Sequence, residues 1–364
     1  MINNSSESNK PENYFRALTG IRAIAAFIVF FHHFNPVSKN IFSGELYNFI
    51  KEFHMGVTVF FVLSGFLIAF RYMDVGKLNF RKYMINRIAR IYPMYFLLTT
   101  FTFIIFYFFQ QKNTANDLAL YFYNITFLKG FFADLKFTGI AQGWSLTVEE
   151  LFYITAPLIF IAIRKNKLNL ILLPMAITGF GLLIVLIAGK IDYQGFFKSN
   201  NFMFIYTFFG RCSEFFIGIA LSIFYKKYKN RINTNWSTYS AIVIIILCIL
   251  EMSLQKKGFI GGIPPSGILI NNLILPFFGI ALLFWGLLTE KTIVQKLLSS
   301  DLFVLLGKSS YIFYLIHLGV IQLVITNRIS GNYFVLFVLI NIISILLFKM
   351  LEEPINLYLR KKLS

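Results

Sequence analysis

The chain has 364 residues, of which 57% are hydrophobic and 14% charged; soluble domains average roughly 45–50% apolar and about 25% charged, so a water-soluble fold is excluded and a bilayer is the fitting solvent. The formal net charge of +18 does not indicate nucleic acid, because the basic residues punctuate apolar segments as they do in loops that orient membrane spans. Cys212 and Cys248 both lie in apolar runs, which excludes a disulfide framework or a metal-ligand spacing.

A transmembrane helix needs roughly 20 apolar residues. In chain order, spans are predicted at 19–37, 55–70, 91–110, 145–163, 168–188, 202–224, 237–253, 266–288, 302–324 and 333–351. The first follows basic residues but runs into Asn35-Pro36-Val37-Ser38-Lys39. That string lacks the small-residue cleavage pattern of a signal peptide, so the run is read as a retained helix. The patch 118–127 is short and polar-flanked, and is read as interfacial or re-entrant. With ten spans and both termini cytoplasmic, the basic clusters at 81–90, 164–167, 226–231 and 360–362 all fall inside. Counting 118–127 as a span would put the second and third of these outside. Lys39, Lys51, Lys112, Lys129 and Lys136 are among the fewer basic residues left in external loops. Residues 258–267, with Gly261-Gly262 and Pro264-Pro265, form the expected external turn. The whole is expected to be one all-α domain, residues 1–364. It would be a polytopic transmembrane helix bundle with a short cytoplasmic tail at 1–15.

Ionisable side chains inside a span cost about 2.5–3.5 kcal/mol each on insertion scales and mark function by default. They are Arg22, His32, His33, Glu149, Glu150, Arg211, Glu214, Lys308 and His317. Arg22 and His33 are nearly three helical turns apart, about 16 Å along the axis, and share one face. His32 is rotated from that face by roughly 80° and reads as a bystander. By depth, Glu149 near the start of the fourth span reaches the level of His33. So does His317, about 22 Å up the ninth. A histidine beside a carboxylate is a general-base arrangement; a polar cluster that only clamps helices is the structural alternative. Arg211 and Glu214, three residues apart, are read as a structural pair, and Lys308 as snorkelling to the cytoplasmic surface. The loop 71–90 carries six basic residues and one acid. Arg87 and Arg90 share a helical face there, and the segment is either a lipid-headgroup contact or a phosphate site.

Several of these residues stand in longer strings. They are Leu18-Thr19-Gly20-Ile21-Arg22 with His33 eleven positions on, the run from Gly56 to Ile68, and Arg87-x-x-Arg90-Ile91-Tyr92-Pro93. Trp144-Ser145-Leu146-Thr147-Val148-Glu149-Glu150-Leu151-Phe152-Tyr153 follows, then the strings at 211–218 and 306–317 and Glu353-Pro354. In order, they resemble the Arg-x10-His, second-helix, Arg-x-x-Arg, Ser-Leu-x-x-Glu-x-x-Phe-Tyr and later signatures of the acyltransferase family 3 membrane proteins. The resemblance covers essentially the whole chain.

It implies a multi-pass O-acyltransferase of the bacterial cytoplasmic membrane. Such an enzyme moves an acyl group, most often acetyl, from acyl-CoA on the cytoplasmic side to a hydroxyl of a surface or exported glycan. It implies Arg22 and His33 as the catalytic pair and Glu149 as a required carboxylate, which from its depth is expected to orient His33. Arg87 and Arg90 would hold the donor's phosphates, with Arg81, Lys82 and Arg22 assisting; Ser145, Tyr153, Tyr314 and His317 would line or support the acceptor side. Direct transfer and an acyl-histidine intermediate both stay open. Acyl-CoA is then a co-substrate, and no permanently bound cofactor, metal or nucleic acid is expected. The expected partners are the donor, a glycan or lipid-linked sugar, and the bilayer. The extracytoplasmic hydrolase-like domain of some members is expected to be absent, the sequence ending at Ser364. The other class to weigh is a secondary transporter or sugar-lipid flippase. Matched halves with broken helices would signal it, and the sequence displays no such repeat.

Overall fold

The structure, a computed structural model, describes residues 15–37, 44–76, 78–110, 115–191, 193–232, 234–255 and 264–363, with backbone only at 107–110 and 115–117. Residues 1–14 of the expected tail, residues 258–263 of the expected turn, and Lys39, Lys112 and Asp192 lie outside the described residues.

The described elements are helices, in the order α1 Arg16–His33, α2 Gly44–Lys51, α3 Gly56–Tyr72, α4 Phe80–Gln110, α5 Ala115–Ile125 and α6 Trp144–Lys165. There follow α7 Asn169–Ala188, α8 Asn200–Tyr206, α9 Phe208–Tyr228, α10 Ser237–Leu254, α11 Pro265–Leu269 and α12 Ala281–Thr289. The last five are α13 Ile293–Leu298, α14 Asp301–Ile316, α15 Val320–Arg328, α16 Tyr333–Leu347 and α17 Glu353–Leu363. π-helical stretches, Ile270–Ile280 and Phe348–Glu352, join α11 to α12 and α16 to α17. Among the described residues there is no strand, only an isolated bridge between Phe132 and Phe196.

Eight helical runs are long and apolar enough to cross a membrane, and nine if the bent pair α14 and α15 counts as one. α1 is not among them, since Arg16, Arg22, His32 and His33 fall within its 18 residues. The ten expected spans correspond to these nine plus α1. The 22 residues of α6 extend over roughly 33 Å, close to the bilayer's hydrocarbon thickness of about 30 Å. The 11-residue α5, over the patch read as interfacial, is too short to cross.

In lipid the hydrophobic effect does not drive helices together, so close packing and polar contacts must. Accordingly the runs through α3 and through α9 are 67% buried, whereas α7 is only 6% buried and presents its leucines and isoleucines outward. Phe215 of α9 stacks on Phe61 of α3 at 4.9 Å and on Phe152 of α6 at 4.4 Å, joining three helices in one aromatic column. α1 lies against α3 on one side and α14 on the other. The α1–α14 crossing is backbone to backbone: a Cβ at Gly307 would stand 1.9 Å from Thr19 O. That crossing places the last turn of α14 beside the last turn of α1.

Three boundaries differ from expectation. α4 begins at Phe80, so the basic stretch before residue 91 is helix with Tyr83, Arg87 and Ala89 turned inward. The tenth run continues past 351 to Leu363 through the π-helical stretch. The ninth is not straight: it breaks by 84° after Ile316, where Gly319 adopts φ +105°, a conformation that favours glycine.

Candidate active site

α1 and α4 bring three arginines together. Arg22, with Arg87 and Arg90 one turn apart on α4, lines two adjoining cavities that also share Leu67 and Ile68. The outer cavity, about 380 Å³, has further walls from Arg71, Lys308 and Arg360 and from the acids Glu352 and Glu353. The inner, about 80 Å³, extends to Ser64, Ser145, Glu149, Tyr153, Tyr311 and Tyr314. Arginines therefore stand at the neck between the two. Arg87 is buried, its guanidinium 5.9 Å from the ring centroids of both Tyr72 and Tyr153. The Nε of Arg22 and the Nε of Arg87 are buried and have no partner. Such a donor costs about 1–3 kcal/mol or more when left unpaired, and two of them beside a hollow suit an anion.

The inner wall is polar and ordered. Ser64 Oγ and Tyr153 OH both donate to the Glu149 carboxylate, linking α3 to α6. In the first turn of α6, Ser145 Oγ and Tyr314 OH are bonded at 2.9 Å, and Ser145 also donates to Gln142 O at 3.0 Å. Gln142 Nε2 in turn donates to Tyr314 O and Leu315 O, at 2.7 Å each. These are carbonyls at the end of α14 that lack a partner within the helix.

Beyond Tyr314 lie all four histidines of the chain. His33 packs 4.7 Å from His32 and 5.4 Å from His317 by ring centroids, and His32 lies 5.7 Å from His54. His317 is buried, its ring 5.6 Å from that of Tyr314, whereas His33 is exposed. Among the described residues no group of three or more His, Cys, Asp or Glu side chains could hold a metal ion.

The expected site residues therefore fall into two groups. Arg22, Arg87, Arg90, Glu149, Ser145, Tyr153 and Tyr314 share the inner cavity. His33 and His317 meet each other but line neither cavity. The expectation that Glu149 orients His33 does not match this geometry, because the carboxylate is turned to Ser64 and Tyr153. Arg81 and Lys82 are exposed on the first turn of α4 and line neither cavity; Arg71, Lys308 and Arg360 are there instead. Lys308, read as a snorkelling residue, is exposed and faces the outer cavity. Arg211 and Glu214 form a buried two-bond pair at 2.6 and 2.7 Å, reinforced by Arg211 to Thr58 Oγ1 at 2.9 Å, and line neither cavity. Sequence reasoning missed Ser64, Gln142, Tyr311 and Glu352, uncharged residues or carboxylates without a spacing signal. It also missed His54, which sits just outside the predicted second span. A π-helical stretch ends at Glu352; such bulges frequently mark functional sites.

The chain matches the family described as acyltransferase domain over residues 15–350. It is 25% identical over 377 residues to a Staphylococcus aureus (strain COL) protein provisionally named an O-acetyltransferase, covering 95% of this chain and 58% of that one. The O-acetyltransferase OatA of Staphylococcus aureus (strain NCTC 8325 / PS 47) is 22% identical over 369 residues, covering 94% of this chain and 57% of that protein. A protein of Acidianus two-tailed virus, provisionally named an acetyltransferase, is 28% identical over 317 residues, covering 84% of this chain and 83% of its own length. The chain thus spans somewhat over half the length of the staphylococcal relatives. No solved structure matches it. Matched over nearly its whole length, this chain belongs to acyltransferase family 3.

Proposed function

We propose that the chain is a membrane O-acyltransferase that moves an acyl group, acetyl in the simplest case, from acyl-CoA to a hydroxyl of a glycan or lipid-linked sugar. The observation that carries this reading is the arginine neck, where Arg22, Arg87 and Arg90 stand between a wide basic vestibule and a narrow inner cavity. A coenzyme with several phosphates needs clustered guanidinium donors, and its acyl arm needs a narrow channel leading away from them. Family membership supports acyl transfer, and the names of the staphylococcal relatives support acetyl as the group and oxygen as its destination.

On this reading the phosphates rest at the vestibule and the thioester lies in the inner cavity. Tyr314 in the cavity wall, and His317 beyond it, stand between that cavity and His33, and on this reading a turn of the Tyr314 side chain admits the acyl group while His317 stays in place. His33 takes the acceptor hydroxyl's proton as the oxygen attacks the acyl carbon. The carbon–sulfur bond breaks with its electron pair leaving on sulfur. Ser145 and Tyr314, hydroxyls on the inner wall, would meet charge developing on the acyl oxygen by turning their protons from Gln142 O toward it. Basic clusters at the vestibule end support a cytoplasmic position for that end, with the chain in the cytoplasmic membrane of a bacterial cell.

The 84° break between α14 and α15 is the one feature that favours a transporter or flippase instead. Calorimetry with CoA on the detergent-purified protein separates the readings. Wild type is expected to bind, and Arg87→Ala with Arg90→Ala to weaken binding at least about tenfold, two charge-assisted bonds being lost. Absence of CoA binding by wild type, or equal binding by the double variant, would return the arginine neck to lipid headgroups.

A further inference from the structure

The histidine cluster holds both expected members, His33 and His317, together with His32 and His54. Three of its four rings are held by Nδ1. His32 Nδ1 lies 2.5 Å from Lys51 O, His54 Nδ1 2.8 Å from Glu52 O, and His317 Nδ1 2.8 Å from Tyr314 O. A backbone carbonyl only accepts, so each of these Nδ1 atoms carries the proton and each Nε2 of the neutral ring is left as an acceptor. His317 is held most firmly. Its anchor, Tyr314 O, is fixed in turn by Gln142 Nε2, and its Nε2 is buried without a partner. An unsatisfied buried acceptor in a native core calls for an explanation. His33 stands beside it at 5.4 Å between centroids, and no described hydrogen bond fixes its ring. The titratable groups beside His317 are His33 on α1 and Tyr314 on its own helix, with His32 packed behind His33 and His54, just before α3, packed behind His32.

We infer that His317 is a positioning residue for acyl transfer: through Nε2 it accepts a proton from His33 and so sets which nitrogen of His33 meets the acceptor hydroxyl. This rests on the acyltransferase reading above. As the hydroxyl oxygen attacks the acyl carbon, its proton passes to one ring nitrogen of His33, and the proton on the other passes to His317 Nε2. The carbon–sulfur pair leaves on sulfur, and the proton stored on His317 returns through His33 to that thiolate, giving ester and free thiol with both histidines neutral again. In a resting structure such bonds are often long and tighten when substrate is bound.

Two measurements test it. The first is solid-state NMR of the wild-type protein in bilayers with 15N-labelled histidine, the signals assigned by single replacement of each histidine with asparagine. The expected result is an Nδ1–H neutral tautomer for His317; an Nε2–H tautomer overturns the inference whatever the protein's activity. The second is transfer from radiolabelled acetyl-CoA in native membranes that supply the glycan. His317→Ala is expected to lower turnover about 100-fold, with the KM for acetyl-CoA within about twofold of wild type. Added imidazoles should restore turnover in proportion to their basicity, as Brønsted behaviour requires of a proton acceptor. Rescue that ignores basicity, or a loss confined to KM, means that His317 only fills space and overturns the proposal. His317→Gln, which keeps the ring's volume and one polar contact, should remain folded and slow. If wild-type membranes transfer no acetyl group, the acyltransferase reading fails, and the tautomer measurement still decides the arrangement of the two rings.

Discussion

At the scale of single residues, the two histidines at the end of α1 make the sharpest contrast. His32 is tied by Nδ1 to Lys51 O, whereas His33 is exposed, free of such a bond and adjacent to His317. His33→Ala is expected to cut acetyl transfer by about 10²–10⁴-fold, while His32→Ala leaves most activity. The measurement is radiolabelled acetyl transfer in membranes with expression matched by immunoblot, and a dead His32 variant beside an active His33 variant would reverse the assignment. Glu149→Gln should be milder than His33→Ala, since an amide oxygen still accepts from Ser64 or Tyr153 while the negative charge beside the arginine neck is lost. The spacing of Arg22 and His33 was legible because helix periodicity is fixed by backbone geometry. The partner of Glu149 was not, because depth along a span places a residue at a level and not on a side. Ser64 and Tyr153 claim the carboxylate through lateral packing of α3 on α6, which a single sequence does not encode visibly.

At the scale of elements, the α1–α14 crossing and the turn before α6 each rest on one residue. Any side chain at Gly307 drives a Cβ to 1.9 Å from Thr19 O. Gly307→Ala should therefore push the helices apart at a cost of about 1–3 kcal/mol and separate His33 from His317. Thermal unfolding in detergent should show the loss, and Gly331→Ala, where nothing lies within 4 Å, should not. Lys129 was expected among external loop charges, but its amine is fully buried and donates to Thr138 O at 2.7 Å and Ile140 O at 2.5 Å. Burial lowers its pKa from the usual lysine range to about 7, and a neutral amine has two N–H bonds for those two carbonyls. Because the folded value lies below the unfolded one, the unfolded chain binds more protons across that interval. The contribution to stability is complete above about pH 10.4 and is lost as pH falls toward about 7. Hydrogen exchange of the 128–143 backbone should show the segment opening more readily as pH is lowered through that window, and Lys129→Met should abolish the dependence. Nine of the ten expected spans, counting the bent pair as one, were readable as apolar runs of sufficient length. The break after Ile316 and the helical extension of α4 were not, since the first follows from one glycine's φ and the second from a basic stretch that no hydropathy threshold detects.

At the scale of the whole molecule, orientation links the site to the cell. Arg164 donates to Val75 O at 2.6 Å and Lys226 pairs with Asp74, so the ends of α6 and α9 gather beside the end of α3. The vestibule opens there too, with Arg71 at the end of α3 and Arg360 from α17 in its wall. His33, Lys51 and His54 sit together at the far end of α1. Positive charge in short loops holds a membrane protein's basic end in the cytoplasm, where acyl-CoA would be met. A phosphatase or fluorescent reporter fused after Lys227 is accordingly expected to report cytoplasm, and one fused near Lys257, in the short connection after α10, the outside. α10 lies between those two positions and is an 18-residue run apolar enough to cross, so the two fusions must read oppositely if that helix spans. The same side for both would remove α10 as a span. Opposite sides in the reversed sense would leave the bundle intact but put the arginine neck outside the cell. A donor drawn from the cytoplasm could then not reach its phosphate site, and the transferase reading would fail at its first step.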